Sequence, residues 1–207
     1  TTFAQTFNNR NAGTSKTLTP AGVVNDLNGG LNYLVTFTPV LTGTISQRAI
    51  TVAAATDTKI YDGTVNSLVV PTITVGALQT GDTTTTFVQT FNNRNAGTLK
   101  LLTPSGAVND GNGGLNYLVT FTPVATGTIG QRAITVTAVA DTKTYDGTTT
   151  SAGAPTISVA LGTGDTSGFV QTFDNRNAGA GKTLTPSRVV NDGNTGLNYL
   201  VVFTPVA

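Results

Sequence analysis

The sequence predicts an all-β protein built from tandem β-sandwich modules of about 84 residues. Three observations lead to this prediction. The chain repeats itself at a spacing of 84 and then 82 residues. Its apolar and semi-polar residues are mainly Thr, Val, Ile, Phe and Tyr, which suit the pleated surface of a sheet. No stretch shows the 3.6-residue apolar period of an amphipathic helix.

The repeat is visible when the sequence is compared with itself. The 44 residues from Phe3 match the 44 residues from Phe87 at 36 positions, and the 39 residues from Phe169 match the second copy at 31. A second shared block begins at Arg48 and again at Arg132. This period is too long for a solenoid turn and too short for two domains, so it fits one small β-sandwich per repeat.

These matches divide the chain into three parts. Residues 1–47 form the C-terminal part of a repeat module, residues 48–131 a complete module, and residues 132–207 a nearly complete one. No proline, Ser/Gly tract or charge block separates the last two parts, and a short junction leaves little freedom between neighbours. We therefore expect a semi-rigid, elongated rod. The start at Thr1 without a signal peptide predicts a piece of a longer protein.

Within the complete module the residue patterns predict about seven strands. The segments that can be placed are, in order, 49–52, 68–75, 87–91, 98–102, 116–123 and 127–129. Turn residues separate them at Tyr61-Asp62-Gly63-Thr64, at Gly81-Asp82 and in the Asn- and Gly-rich loop 109–114. Pro71 indicates an edge strand or a bulge, and Pro104 is expected to close the fourth segment.

Composition excludes several functions. Lys and Arg number 11, all ten acidic residues are Asp, and the net charge is +1. A near-neutral chain argues against nucleic acid, where a basic footprint supplies most of the affinity. The absence of Cys and His removes the usual zinc, copper, haem and iron–sulfur sites. No apolar run approaches the ~18 residues of a membrane span. No catalytic triad, phosphate loop or glycosidase-type acid pair is present, so we expect no enzyme.

All 14 aromatic residues recur at equivalent positions, which predicts core packing in every module. The sets are Phe3/Phe87/Phe169, Phe7/Phe91/Phe173, Tyr33/Tyr117/Tyr199, Phe37/Phe121/Phe203 and Tyr61/Tyr145. For Tyr61 and Tyr145 a second role is open, because a hydroxyl beside Asp62 or Asp146 can pin a turn. Most charges are periodic as well. Among them Arg94 is the best candidate for a repeated adhesive contact, and the alternative is that Arg94 braces its own loop through backbone carbonyls.

Two further chemistries are weighed. Asp-x-Asn-x-Gly loops offer the oxygen ligands that Ca²⁺ uses, at Asp26/Asn28/Gly30, Asp110/Asn112/Gly114 and Asp192/Asn194/Gly196. One carboxylate per loop favours a tight turn instead. A Lys–Asn isopeptide bond is the other; its candidates are Lys100 with Asn95 or Asn116, and Asp110 as the acid. Because Lys100 alternates with leucines, we expect it to face solvent. We therefore predict no catalytic, cofactor or metal residues.

The order of the motifs resembles a known repeat. RAITVTAVADTKTYDGTT is followed by GD, by F..NRNAG..K.LT and by NY. This order resembles the YDG repeat of large bacterial surface proteins, which include filamentous-haemagglutinin-like adhesins. The resemblance covers essentially the whole chain, although the loop before Asn116-Tyr117 is unusually rich in Asn and Gly. It implies Ig-like β-sandwiches stacked into extracellular stalks, without catalytic residues.

The leading functional hypothesis is therefore a non-catalytic structural segment, a stalk or fibre at the bacterial cell surface. Its expected partners are neighbouring modules of the same chain. The alternative is an adhesive module that binds glycan or matrix through avidity. A third possibility is self-assembly of subunits into a filament by strand addition, because both termini fall inside a module.

Overall fold

The computed structural model describes residues 2–84 and 86–207. Its regular elements in these residues are all β-strands, so the predicted all-β class is confirmed. Within the same residues there is no helix of the length and apolar character that a membrane crossing requires. The strands are β1 (Thr2–Phe7), β2 (Gly13–Val23), β3 (Val40–Ile45), β4 (Arg48–Ala53), β5 (Thr58–Ile60), β6 (Thr72–Val75), β7 (Val88–Phe91), β8 (Gly97–Ser105), β9 (Tyr117–Thr122), β10 (Val124–Gly130), β11 (Arg132–Thr137), β12 (Thr156–Ile157), β13 (Thr166–Ser167), β14 (Val170–Phe173), β15 (Leu184–Ser187), β16 (Val190–Asn191) and β17 (Tyr199–Thr204).

The chain forms two compact units whose boundaries differ from those of the sequence repeats. Unit 1 comprises Thr1–Ala53, Pro71–Phe87 and Pro104–Thr122, and unit 2 comprises Ala54–Val70, Val88–Thr103 and Pro123–Ala207. Each unit therefore contains residues of two consecutive repeats. The module boundaries drawn from the sequence stay predictions.

Unit 1 contains two three-stranded sheets. One has the order β1-β2-β3 and is antiparallel; in the other, β6-β4-β9, the central strand β4 runs antiparallel to β6 and parallel to β9. Ile50 and Val52 project from the same side of β4, as their alternation predicted, and both are buried. They pack with Phe87, Val108 and Tyr117 into one apolar cluster.

Unit 2 contains a four-stranded sheet, β5-β10-β8-β7, together with the sheet β12-β11-β17 and the pairs β13-β16 and β14-β15. Its core draws on two repeats and consists of Ala54, Tyr61, Phe91, Leu102 and Ile129 from the second and Ile134, Val136, Val190 and Tyr199 from the third. The rings of Tyr61 and Tyr199 meet edge to face, with centroids 5.4 Å apart. Consecutive repeats therefore bury apolar surface against each other.

Residues 48–131 contain seven strands, β4 to β10, which is the number the patterns predicted. The strand predicted at 68–75 is shorter and begins at Thr72, directly after Pro71, whose missing N–H cannot join a ladder. The expectation that Pro104 closes its strand is wrong, because β8 continues to Ser105. Pairing of β8 with β10 spans Gly97 to Leu102, so Pro104 lies beyond it and costs no bond there.

The aromatic core is complete in the second repeat and not in the first. Phe87 and Phe91 are each 2% exposed, whereas Phe3 is 55% and Phe7 43% exposed. The core prediction is therefore right for Phe87, Phe91 and the buried tyrosines Tyr61, Tyr117 and Tyr199. It is wrong for the exposed aromatic residues, which are Phe3, Phe7, Tyr33, Phe37, Tyr145 and Phe203. Phe87 packs against residues of the sheet β6-β4-β9.

Candidate functional site

Loops of consecutive repeats contact each other at two places in the chain. In unit 1, loop 9–13 of the first repeat bonds to loop 109–117 of the second. In unit 2, loop 93–97 of the second repeat bonds to loop 191–199 of the third. We call these contacts the first and the second junction. Because the same motifs meet in both, the junction is the candidate functional site.

Asp165 is the centre of the second junction. Its Oδ2 accepts hydrogen bonds from the hydroxyls of Tyr61 at 2.8 Å and Tyr199 at 2.7 Å, and its Oδ1 lies 2.9 Å from Arg94 Nη2. The Asp165 side chain is fully buried, with 0% exposed. A buried carboxylate needs such compensation, which here comes from one cation and two O–H donors.

Tyr61 belongs to the Tyr-Asp-Gly turn, and its hydroxyl bonds outside its own repeat. The sequence left open that the Tyr61 hydroxyl pins its turn through Asp62. In the structure this hydroxyl instead donates a hydrogen bond to Asp165. Burial and the neighbouring Asp165 raise the pKa of Tyr61. Burial also raises the pKa of Tyr199 to about 12. Both phenols are therefore protonated donors at neutral pH.

Arg94 bonds to three residues of the following repeat. Its Nη1 donates to the carbonyl oxygen of Thr163 at 2.9 Å and its Nη2 to that of Asp192 at 2.7 Å, in addition to the ion pair with Asp165. A longer bond of 3.5 Å reaches Gly63 in its own repeat. The expectation that Arg94 braces its own loop is thus wrong, because its shorter bonds all reach residues of the third repeat. The planar, multiply donating guanidinium suits this set of acceptors.

Asp192 shapes the loop that receives Arg94. Its Oδ1 accepts backbone N–H bonds from Asn194 at 2.7 Å and Gly196 at 2.9 Å, and its Oδ2 accepts one from Asn198 at 3.0 Å. Burial opposes ionisation of Asp192, but these three donors outweigh it and lower its pKa. The Asp-x-Asn-x-Gly segment is therefore the tight turn that the sequence favoured over a calcium loop.

Asn198 joins the two loops of the second junction through its amide. Its Oδ1 accepts the backbone N–H of Ala96 at 2.8 Å, and its Nδ2 donates to Asn95 Oδ1 at 3.3 Å. Asn194 Nδ2 donates to Asn198 Oδ1 at 3.1 Å. Asn198 is completely buried, and its partners satisfy the polar groups that burial removes from water.

The first junction has the same chemistry in unit 1. Its bonds are Arg10 Nη2 to Asp82 Oδ1 (3.0 Å) and to the Asp110 carbonyl oxygen (2.9 Å), Tyr117 OH to Asp82 Oδ2 (2.6 Å), and Ala12 N to Asn116 Oδ1 (2.7 Å). The Arg10 side chain is 63% exposed, against 31% for Arg94.

Lys100 lies next to the junction loop and differs from its prediction. It is buried rather than solvent-facing, and its Nζ donates to Asn93 Oδ1. Leu99 and Leu101 are exposed instead, and the buried face of β8 carries Lys100 and Leu102. Burial lowers the pKa of Lys100. Asn95, one of the amides considered for an isopeptide bond, instead bonds to Asn198 across the junction.

In residues 2–84 and 86–207 no three potential metal-ligating side chains of His, Cys, Asp or Glu come together. The carboxylates at the junctions accept hydrogen bonds and pair with arginine. The arrangement therefore supports binding between protein surfaces.

Comparison with family models places a YDG domain at residues 46–126 and again at 130–206. This chain belongs to the YDG domain family. Each match contains one Tyr-Asp-Gly triplet, so the resemblance to the YDG repeat is confirmed at the level of the family. No curated protein and no solved structure matches the chain. In this YDG chain Tyr61, the triplet tyrosine of the second repeat, donates a hydrogen bond to Asp165 of the third.

Sequence reasoning found both junction motifs but not their contact. The Asn-Arg-Asn-Ala-Gly loop and the Asn-Asp-Gly-Asn loop each occur once per repeat, and Arg94 and Asp165 recur with the same period. The Arg94 position and the Asp165 position each occur once per repeat period. This matched recurrence of opposite charges is the signal that could have suggested that they pair. The period alone does not say whether partners lie in one repeat or in two.

Proposed function

We propose that this chain is a structural repeat segment of a stalk or fibre at the surface of a bacterial cell, and that it has no catalytic role. We propose further that its YDG repeats are Ig-like β-sandwiches stacked into an elongated rod. The junction carries this proposal. The same Arg–Asp pair and the same backbone-to-amide bond occur between the first and second repeats and between the second and third.

The shared core and the polar bonds of the second junction make different contributions to its stability. Full burial of a large apolar side chain contributes about 1.5–3 kcal/mol, and Tyr61, Ile134 and Val136 all lie in the shared core. A partly exposed ion pair contributes only about 0–1 kcal/mol. The shared core thus supplies the cohesion, while Arg94 and Asp165 fix the alignment of the two loops. A segment that transmits tension along the chain needs both cohesion and alignment.

The extracellular setting rests on the family resemblance and on composition. The sequence contains no Cys, Met, Trp or His, and its few basic residues are dispersed. Such a chain offers little to oxidants and to trypsin-like proteases, which suits exposure outside a cell. Near-neutral charge agrees with partners that are neighbouring repeats rather than nucleic acid.

An adhesive module is the competing proposal, and Arg94 was its best candidate residue. In the second junction the guanidinium of Arg94 is already bonded to Thr163, Asp165 and Asp192. This engagement favours the structural proposal, because a residue that holds two repeats together is not available to a glycan or matrix protein.

Distance measurements between spin labels test the structural proposal. The chain has no Cys, so Leu68→Cys and Val159→Cys introduce labels at two exposed positions in consecutive repeats of unit 2. We expect a narrow distance distribution by double electron–electron resonance and a broader one after Arg94→Ala. Arg176→Ala is the matched control, since Arg176 occupies the equivalent exposed loop of the third repeat, and it is expected to leave the distribution narrow.

A broad distribution in the unsubstituted chain would overturn the structural proposal. Saturable binding of the chain to glycan or matrix arrays, lost in Arg94→Ala, would support the adhesive alternative instead. Small-angle scattering of the same samples measures the maximum dimension and tests the elongated rod directly.

A further inference from the structure

Strands β9 and β17 form open edges of their sheets, at equivalent positions of the second and third repeats. β9 is an end strand in the order β6-β4-β9, and β17 is an end strand in the order β12-β11-β17. Across residues 2–84 and 86–207, β9 pairs with β4 alone and β17 with β11 alone. Each strand is therefore bonded on one side, and its other side is a template for a further strand.

The ladder between β4 and β9 shows which backbone groups of β9 face the open side. Successive residues of a strand direct their N–H and C=O groups to opposite sides. The N–H of Arg48 donates to the carbonyl oxygen of Asn116 at 2.9 Å, so Asn116 and every second residue after it face β4. Val119 and Phe121 therefore direct two N–H and two C=O groups toward the open side.

The third repeat has the same arrangement. The N–H of Arg132 donates to the Asn198 carbonyl oxygen at 2.9 Å, and the N–H of Ala138 to that of Thr204 at 3.0 Å. The residues at 201 and 203 therefore face the open side of β17. The third repeat follows β9 and the second repeat precedes β17, and in its described residues neither repeat adds a strand to these edges. The open edge is thus a property of the repeat itself.

A glutamine side chain limits the open edge at its start. The Tyr117 carbonyl also faces the open side, and Gln47 Nε2 donates to it at 3.5 Å and to the Leu115 carbonyl at 3.0 Å. Gln131 makes the equivalent two bonds in the third repeat. Pro123 follows β9 directly and has no N–H to offer a ladder. Between these limits the backbone groups of residues 119 and 121 remain for a partner.

The open edges lack the features that commonly keep edge strands apart. β9 reads Tyr-Leu-Val-Thr-Phe-Thr and β17 reads Tyr-Leu-Val-Val-Phe-Thr, with no charge, proline or glycine. The opposite edges of the same sheets, β6 and β12, are four and two residues long, and each directly follows a proline. Short length and proline protect an edge. Uncharged six-residue segments with high β-propensity instead pair with identical segments.

The four open backbone groups of β9 fit a second copy of the same edge. When two such strands lie antiparallel about a two-fold axis at Thr120, Val119 of each chain faces Phe121 of the other. Each of these two pairs exchanges two backbone hydrogen bonds, so all four groups are satisfied in both chains. Thr120 then lies directly opposite its own copy, and Thr–Thr is a favourable cross-strand pair. No charge on the edge opposes the approach.

We propose that β9, and equally its counterpart β17, is a self-association site that pairs antiparallel with the same edge of a second copy of this chain. This inference rests on the proposed function, since it gives the stalk or fibre a lateral partner. Main-chain hydrogen bonds supply the affinity, as in other additions of a strand to a sheet. One pairing of four bonds is weak, and recurrence of the edge in consecutive repeats adds avidity.

Charges placed at the centre of the edge test the proposal. Thr120 and Val202 occupy equivalent central positions, and both are exposed. Sedimentation velocity of the full chain at increasing concentration is expected to show reversible self-association. Thr120→Lys combined with Val202→Lys places like charges directly opposite each other, so we expect association to weaken roughly tenfold or more. Thr120→Asp with Val202→Asp is expected to act alike, and an equimolar mixture of the two variants is expected to associate again.

Thr72→Lys combined with Thr156→Lys is the matched control. These exposed threonines lie in β6 and β12, on the opposite edges of the same two sheets, so this chain is expected to associate like the unsubstituted one. Hydrogen exchange measured by nuclear magnetic resonance gives a second readout. The amides of Val119 and Phe121 are expected to gain protection with concentration, whereas the amide of Thr120, which faces β4, is expected to keep its protection throughout.

Four outcomes would each overturn the proposal. They are a chain that sediments as a monomer at every concentration, association that the Lys substitutions do not weaken, equal weakening in the control variant, and a Lys–Asp mixture that stays monomeric. Circular dichroism verifies that each variant is folded, and recovery in the mixture excludes loss of structure as the cause. The spin-label distance across the second junction is measured within one chain, so the two proposals fail separately.

Discussion

Tyr61 of the second repeat donates a hydrogen bond of 2.8 Å to Asp165 of the third, across 104 residues of sequence. The tyrosine is completely buried, and its ring packs against that of Tyr199, which donates to the same carboxylate oxygen. The Tyr-Asp-Gly triplet therefore does more than turn the chain. It supplies a side chain that belongs to the core of its own repeat and of the next.

Tyr61→Phe tests this contact. The ring stays, the hydroxyl is lost, and Asp165 keeps only Tyr199 and Arg94 as partners. We expect the free energy of unfolding to fall by about 1–2 kcal/mol, the usual effect of losing one buried hydrogen bond to a charged group. Urea unfolding measures it. Tyr145→Phe is the matched control and is expected to change nothing, because Tyr145 is exposed; equal losses in both would contradict the assignment.

Asp165→Asn removes the charge that faces Arg94. We expect a loss of about 2–3 kcal/mol, because the ion pair is lost and the buried hydroxyls of Tyr61 and Tyr199 exchange a charged acceptor for a neutral one. Thermal unfolding followed by circular dichroism measures the loss. Asp174→Asn is the control, since the first and second repeats carry Asn at this position. A stability unchanged by Asp165→Asn would mean that the pair contributes nothing to the junction.

Gly127→Ala tests the close packing of β10. Its Cβ would lie 2.8 Å from the Phe91 ring, so we expect a loss of about 1–3 kcal/mol from overpacking. Gly168→Ala is the control, because no atom lies within 4 Å of a Cβ at Gly168. Chemical unfolding compares the two variants. If they are equally stable, the backbone around Phe91 relaxes freely and the close packing at Gly127 has no energetic cost.

Stability is expected to be flat from about pH 5 to pH 9 and to fall on both sides, since the sequence has no His or Cys. Hydrogen bonds from Lys143 and Thr148 lower the pKa of Asp146 to about 2, and backbone donors lower that of Asp192. Their stabilisation is present above the unfolded pKa of 3.8 and is lost as pH falls through the folded value.

The loss of stability at alkaline pH follows from Tyr199, whose pKa is raised by burial from 10.0 to about 12. Its stabilisation is present below pH 10 and is lost as pH rises through about 12. Urea midpoints measured across the pH range test both sides. A midpoint that varies between pH 5 and pH 9 would contradict this account.

Calcium is expected to leave stability unchanged. The carboxylates of Asp110 and Asp192 each accept three backbone N–H bonds of their own loop, so they are committed to the turn. A ligand that binds only the folded state raises the melting temperature with concentration. Calorimetry measures the melting temperature in excess calcium and in excess chelator. A higher melting temperature with calcium would support the calcium-loop interpretation of these segments.

The sequence predicted the strand class and most strand positions because these depend on local pattern. The alternation in β4 and the turn at Asp192 are examples, since both are determined by neighbours in sequence. It failed for Lys100, because alternation alone does not say which face of β8 is buried, and the buried face carries Lys100 and Leu102 rather than Leu99 and Leu101. It also missed the pairing of Arg94 with Asp165, which lie in different repeats and whose identical periods do not specify the partner.

The parallel pairing of β11 with β17 has a mechanical consequence. Six residue pairs, from Arg132–Tyr199 to Thr137–Thr204, join β11, the first strand of the third repeat, to β17. Tension applied at Arg132 and Thr204 pulls these strands past each other along their length, so the connecting bonds share the force at once instead of breaking one by one. β4 and β9 have the same geometry. Single-molecule stretching is expected to show high rupture forces, and Thr135→Pro in β11 to lower them.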